Sequence, residues 1–154
     1  MMQSQLVLIF SLFSIASSSC PPQWVDGSSV GLGCMLFDST ERLSWADATQ
    51  HCSNIQNAIL IEIMSQEQFE FIKMILEFLS GHEGRKYWWT SGTDWGREGQ
   101  WYWAQSLSEV ASYIWKSGQP NGGTDQNCLY LWGGTFMGQD YPCTYPLYPI
   151  CQIK

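Results

Sequence analysis

Basic residues are scarce in this chain: seven Lys and Arg stand against fourteen Asp and Glu in 154 residues, a formal charge of −7. Nucleic acid and anionic membrane are bound through clustered cations, and Arg85 with Lys86 is the only adjacent pair here, so such partners are excluded. Histidine is nearly missing too, with only His51 and His82. A nucleophile needs a placed base, and with the cysteines expected in bridges the chain is not expected to be an enzyme. His82 beside Glu83 reads as a solvated loop pair, and His51 as an ordinary surface or core-edge residue. Close Cys/Cys or Cys/His pairs of the kind zinc needs are absent. No Asn-X-Ser/Thr acceptor occurs, which argues against N-glycosylation. No window reaches the roughly 18 apolar residues of a membrane span.

What is present begins with an apolar run over residues 6–15, followed by Ala16 and serines to Ser19. That layout reads as a secretory signal over residues 1–19, although no basic residue precedes the run, with cleavage after Ser18 or Ser19. A single domain over residues 20–154 is expected to follow, secreted and extracellular. All six cysteines lie in it: Cys20, Cys34, Cys52, Cys128, Cys143 and Cys151. An even number in an exported chain reads as a disulfide framework of three bridges, whose pairing spacing alone leaves open. Aromatic residues make up 15% of the chain, nine of them Trp. Trp88, Trp101 and Trp103 are expected in the core, whereas Trp24, Trp95, Trp115 and Trp132 sit beside polar segments and are candidates to stack on a sugar face.

Local patterns set the element order. Residues 20–34 read as a hairpin leading into a strand over 35–37. Ser44 caps a first helix with Trp45, Ala48 and Cys52 at helical spacing. Residues 58–63 read as a buried strand interrupted by Glu62. Ser65 and Gln68 form a capping box for a second helix whose apolar stripe is Phe69, Ile72, Ile75, Leu76 and Leu79, ending at Gly81. Strands follow at 87–90, 101–103, 128–132, ahead of Cys143, and at 147–152. Between them lies a long irregular stretch, 106–125, of a length that in compact domains is usually functional or disordered. Two early helices before a strand-rich half predict an α+β fold.

With that order in place, the chain resembles the C-type lectin-like family from Cys20 to Cys151. Trp45, Ala48 and Cys52 look like its first-helix signature. Tyr87-Trp88-Trp89-Thr90-Ser91-Gly92-Thr93-Asp94 is similar to a variant of its Trp-Ile-Gly-Leu segment, with Glu98-Gly99-Gln100-Trp101-Tyr102-Trp103 next. Trp115, Gly118 and Gln119-Pro120-Asn121 resemble its long-loop sugar motif, and Cys128, Cys143 and Cys151 its last three cysteines. The resemblance, closest to secreted single-domain lectins of the invertebrate type, implies two helices with two small antiparallel sheets and a long loop. It also implies bridges Cys52 to Cys151, Cys128 to Cys143 and Cys20 to Cys34.

In sugar-binding members a calcium ion links the long loop, the following strand and the sugar hydroxyls. Carried over, the implied calcium ligands are Gln119, Asn121, Asp125, Gln139 and Asp140. The implied sugar-contacting residues are Gln119, Asn121, Gln126, Gln139 and Asp140, with the register between Asp125, Gln126 and Asn127 left open. Gln119-Pro120 is expected to be cis. Calcium draws its affinity from carboxylates, and amides occupy most of these positions, so binding near or weaker than about 10⁻⁴ to 10⁻³ M is expected. Gln-Pro-Asn matches neither the mannose-type Glu-Pro-Asn nor the galactose-type Gln-Pro-Asp pattern. The expected function is therefore carbohydrate binding on microbial or host surfaces, with calcium as the implied cofactor, a glycan or glycoprotein as partner, and an innate-immune role implied by the resemblance. The alternative is a calcium-independent module that binds a protein.

Overall fold

The computed structural model describes residues 20–83 and 86–154. The expected signal segment lies outside the described residues, as does Arg85. Ser44 opens helix α1 (Trp45–Asn54): its hydroxyl accepts from the Asp47 N–H at 3.2 Å, satisfying a donor the first turn would otherwise strand. Helix α2 (Gln66–Glu83) starts on Ser65, whose hydroxyl accepts from the Gln68 N–H. The return arm of the expected box lands one residue further back, where Gln68 Oε1 accepts from the Met64 N–H at 2.8 Å. Gly81 does not end this helix. The chain stays helical to Glu83, which puts His82 on a helix rather than in the expected loop.

Eight strands complete the fold: β1 (Val25–Asp26), β2 (Cys34–Phe37), β3 (Ile59–Leu60), β4 (Tyr87–Thr93), β5 (Tyr102–Trp103), β6 (Cys128–Trp132), β7 (Gly138–Tyr141) and β8 (Tyr148–Ile153). One antiparallel group joins β1, β2, β8 and β3, and another joins β5, β4, β6 and β7. A two-residue parallel pairing, Trp88 with Tyr148 and Trp89 with Pro149, fuses the two expected sheets into the order β1-β2-β8-β4-β6-β7. The extended run at 58–63 keeps a regular ladder over only two residues. Beyond Leu60 the Glu62 N–H turns to the side chain of Gln152, 3.1 Å away.

Successive side chains of a strand face opposite ways, so this sheet has a core on each side. On one face Trp88, Leu129, Leu131 and Ile150 pack with Phe69, Ile72 and Leu76 of α2 and with Trp101, Trp103 and Ile114. On the other, Trp89, Cys128, Tyr130 and Cys151 pack with Ala48 and Cys52 of α1. Each large apolar side chain buried this way stabilises the fold by about 1.5–3 kcal/mol. The expected core tryptophans Trp88, Trp101 and Trp103 are all buried, and Trp95 is exposed.

Three disulfides hold the layers: Cys20–Cys34, Cys52–Cys151 and Cys128–Cys143, the pairing the resemblance implies. Cys52–Cys151 ties α1 to β8 at the middle of the sheet. Cys128–Cys143 ties the start of β6 to the segment after β7, the strands that carry the far end of the long loop.

Candidate functional site

The long stretch 106–125 is pinned at both ends by backbone and side chain. At its root, the fully buried carboxylate of Glu62 accepts through Oε1 from the N–H groups of Gln105 (3.1 Å) and Ser106 (2.8 Å). Val110 N–H then donates to the Trp101 carbonyl, and Lys116 N–H to the Gly138 carbonyl, laying the loop along the outer edge of β7. That approach requires glycine at 138, because a Cβ there would sit 2.9 Å from Ile114 Cγ2 and 3.1 Å from the Ile114 carbonyl. Covering β7 also removes an unpaired strand edge.

Beyond Lys116 the chain turns through Gly118 into a cis Gln119-Pro120 bond, as expected. Asp140, on β7 and 3% exposed, accepts through Oδ2 from the N–H groups of both Asn121 (2.9 Å) and Gly122 (2.6 Å). The Gln119 side-chain amide lies 3.4 Å from Gln139 Oε1. The fold thus brings together four of the expected residues, Gln119, Asn121, Gln139 and Asp140.

Two others stand apart. Asp125 is exposed on a single 3-10 turn (Gly123–Asp125), with no hydrogen bond or ion pair to the rest among the described residues. The side chain of Gln126 is folded against Gly122, where it fills the space a Cβ would need.

Of the four residues brought together, two carry a buried side-chain oxygen with no partner among the described residues, Gln119 Oε1 and Asp140 Oδ1. Both are acceptors, and a buried acceptor without a donor or cation costs about 1–3 kcal/mol.

The residues that sequence reasoning left out of the site are Asp94 and Glu98. Asp94 ends β4 and is tied to the segment beyond the long loop, its N–H donating to the Asn127 carbonyl. Burial raises the Asp94 carboxyl above the ordinary range, the negative charge of Asp140 adds to the rise, and the Gly99 N–H on Oδ2 opposes it. Glu98 is raised as well, by desolvation and then by Asp94 and Asp140. Tyr130, opposite Gln139 in the β6–β7 ladder, is pushed up to about 12 by burial, with Tyr141, Tyr87 and Asp140 contributing. No Lys or Arg among the described residues forms an ion pair with Asp94, Glu98 or Asp140. The signal that could have found the two acids is their place in Thr93-Asp94 and Glu98-Gly99, at the ends of a turn between paired strands.

Among the described residues no group of three or more His, Cys, Asp or Glu converges tightly enough to form a metal cage of those side chains. The donor set at the loop is amide and carboxylate oxygen, which suits a hard cation such as calcium and not zinc or copper. The two unpaired buried oxygens fit that group. Calcium bound there would be held by Gln119, Asn121, Gln139 and Asp140 and would supply open coordination positions to hydroxyl oxygens.

The fold is shared with known proteins. The family model for the lectin C-type domain matches residues 41–153. A hepatic lectin of Gallus gallus is 28% identical over 77% of this chain, which spans 54% of that protein's length. Among solved structures, the carbohydrate-recognition domain of the mouse scavenger receptor C-type lectin superposes with a TM-score of 0.72 at 28% identity, covering 88% of this chain and 96% of that one. A calcium-dependent type II antifreeze protein, solved free of calcium, does so with the same TM-score and identity over 88% and 100%. From fold, bridges and matched residues together, this chain belongs to the C-type lectin domain family.

Proposed function

We propose that this chain is a secreted carbohydrate-binding lectin that reads glycans of microbial or host surfaces at Gln119, Asn121, Gln139 and Asp140, with calcium as its weakly held cofactor. The observation that carries this reading is the pair of buried, unpaired acceptor oxygens, Gln119 Oε1 and Asp140 Oδ1, on residues the fold brings together. A cation is the kind of group that satisfies such acceptors. The raising of Asp94 and Glu98, first by desolvation and then by the charge of Asp140, with Asp94 acting on Glu98 as well, supports it, because a positive ion nearby would relieve the repulsive part. Three disulfides suit an extracellular setting, and among the described residues no helix is long and apolar enough to cross a membrane.

One observation favours a second reading. Asp140 Oδ2 accepts from the N–H groups of Asn121 and Gly122, so the loop has a clasp made of protein groups alone, as a calcium-independent module that binds a protein would need. The same fold serves in a type II antifreeze protein. Calorimetric titration with calcium, followed by glycan-array binding with and without chelator, separates the two. Binding at about 10⁻⁴ to 10⁻³ M, lost in Asp140→Asn, supports the first reading. Absence of calcium binding, with no chelator-sensitive glycan signal, rejects it and leaves the protein-binding module.

A further inference from the structure

Beside the Gln-Pro-Asn turn lies an open groove of about 850 Å³, a size that accommodates far more than one small group. Its walls include Trp101, Tyr102, Leu107, Glu109, Trp115 and Pro120. Pro120 is the covalent neighbour of Gln119 and Asn121, so the groove shares a lining residue with the loop that carries the proposed sugar site. We infer that it receives a second, neutral pyranose residue, linked to the sugar held at Gln119 and Asn121; the inference rests on the glycan reading above.

Three features argue for a sugar ring rather than an alkyl chain or an anionic group. The first is the aromatic wall: Trp101 and Trp115 meet edge to face with centroids 4.7 Å apart, and Trp115 and Tyr102 are only half-buried. Half-covered aromatic rings offer an apolar surface on which the C–H face of a pyranose can lie.

The second is polarity between the apolar tiles. Glu109, exposed on the groove wall, supplies a carboxylate acceptor for hydroxyl donors. No Lys or Arg lines the groove, and Glu109 together with the nearby Glu98 repels acidic sugars.

The third is Leu107. Its φ is 57°, the left-handed region that a bulky side chain seldom adopts, and it is 72% exposed at the rim. The backbone is fixed there by Leu107 N–H donating to the Trp103 carbonyl at 2.8 Å, which holds an apolar side chain out over the groove. Exposed leucine in strained backbone serves packing poorly and an incoming ligand well.

The test compares monosaccharide with disaccharide on the disulfide-bonded chain by calorimetry, using methyl α-mannoside against α-mannobiose and methyl β-galactoside against lactose. In at least one pair the disaccharide binds about tenfold more tightly, about 1.4 kcal/mol. Leu107→Asn suits the left-handed backbone and keeps the fold. It lowers that advantage to about twofold or less and leaves the monosaccharide affinity as it was, and Glu109→Gln reduces the advantage in the same direction. Equal affinity within each pair, or an advantage untouched in both variants, overturns the groove proposal while the Gln119 site stands. Failure of all four sugars to bind removes the glycan reading and the groove proposal with it.

Discussion

Lys154 donates from Nζ to Oε2 of Glu62, 2.5 Å away, so the last residue of the chain neutralises a carboxylate that has no exposure to solvent. The other oxygen of Glu62 holds Gln105 and Ser106 at the root of the long loop. One buried acid thereby links the residue after β8 to the start of the long loop.

Removing that carboxylate strands two backbone donors and frees Lys154. Glu62→Ala is expected to lower unfolding stability in urea by about 3–5 kcal/mol, the range for breaking a buried charged pair. Lys154→Met leaves the Glu62 carboxylate buried without a counter-charge and is expected to cost a comparable amount. No loss in Lys154→Met would show that the N–H groups of Gln105 and Ser106 alone hold that charge.

The bridges should rank by the length of chain they close. Cys52–Cys151 spans 99 residues and Cys128–Cys143 spans 15. In the chain-entropy account, removing the first as a Cys52→Ala/Cys151→Ala pair costs about 4.7 kcal/mol and removing the second about 3 kcal/mol. Thermal and urea unfolding of the two double variants measures the order, and a larger loss at Cys128–Cys143 would mean that the bridge chiefly shapes the native loop.

Acid should weaken the contact between the segment after β2 and α1. Burial pushes Asp38 up, but hydrogen bonds from the Thr40 hydroxyl and N–H, and then His51 at 2.7 Å, outweigh it and hold the carboxyl below its usual 3.8. A lowered value stabilises the fold above pH 3.8, and that contribution is lost as pH falls through the folded value. Asp38→Asn is therefore expected to lower Tm at pH 6 and to leave it nearly unchanged at the acid end of a pH series. A constant difference at every pH would argue against ionisation as the cause.

Asp94 runs the opposite way. Its folded value is raised, so its contribution favours the fold below about pH 3.8 and is lost as pH climbs through the folded value, leaving an ionised buried acid at neutrality. In chelator at pH 7, Asp94→Asn keeps an acceptor for the Gly99 N–H, drops the charge and raises Tm by a few degrees. The gain fades below about pH 4, where the wild-type acid is itself protonated. A lower Tm at pH 7 would contradict the assigned cause.

Much of the architecture is legible in the chain because local signals agree with tertiary need. Ser44 and Ser65 cap the helices they are placed to cap, and Phe69, Ile72 and Leu76 are buried on the face their spacing selects. Gly81 misleads because one glycine costs a helix only about 1 kcal/mol, and the helix runs on to Glu83. Glu62 reads as a blemish in an apolar run, since nothing local shows that Gln105, Ser106 and Lys154 converge on it. At the site, Gln119, Asn121, Gln139 and Asp140 follow from motif order. Asp94 and Glu98 do not, because they join Asp140 only through the β4-β6-β7 order of the sheet. Leu107 gave no signal either: its left-handed backbone is invisible in residue type.

The strand order also separates Cys20 and Lys154 from the long loop. Gly33 packs against the Ile153 carbonyl, Cys20 is bridged beside it to Cys34, and these lie at the β1–β2 rim. The loop lies along β7, four strand spacings from β2, or roughly 19 Å. A tether joined at Lys154 would enter at the β1–β2 rim and leave the β7 rim facing outward. The domain can thus be grafted through Lys154 to a bead, a sensor chip or a multimerising stalk, and copies displayed in this way would present their long loops unobstructed.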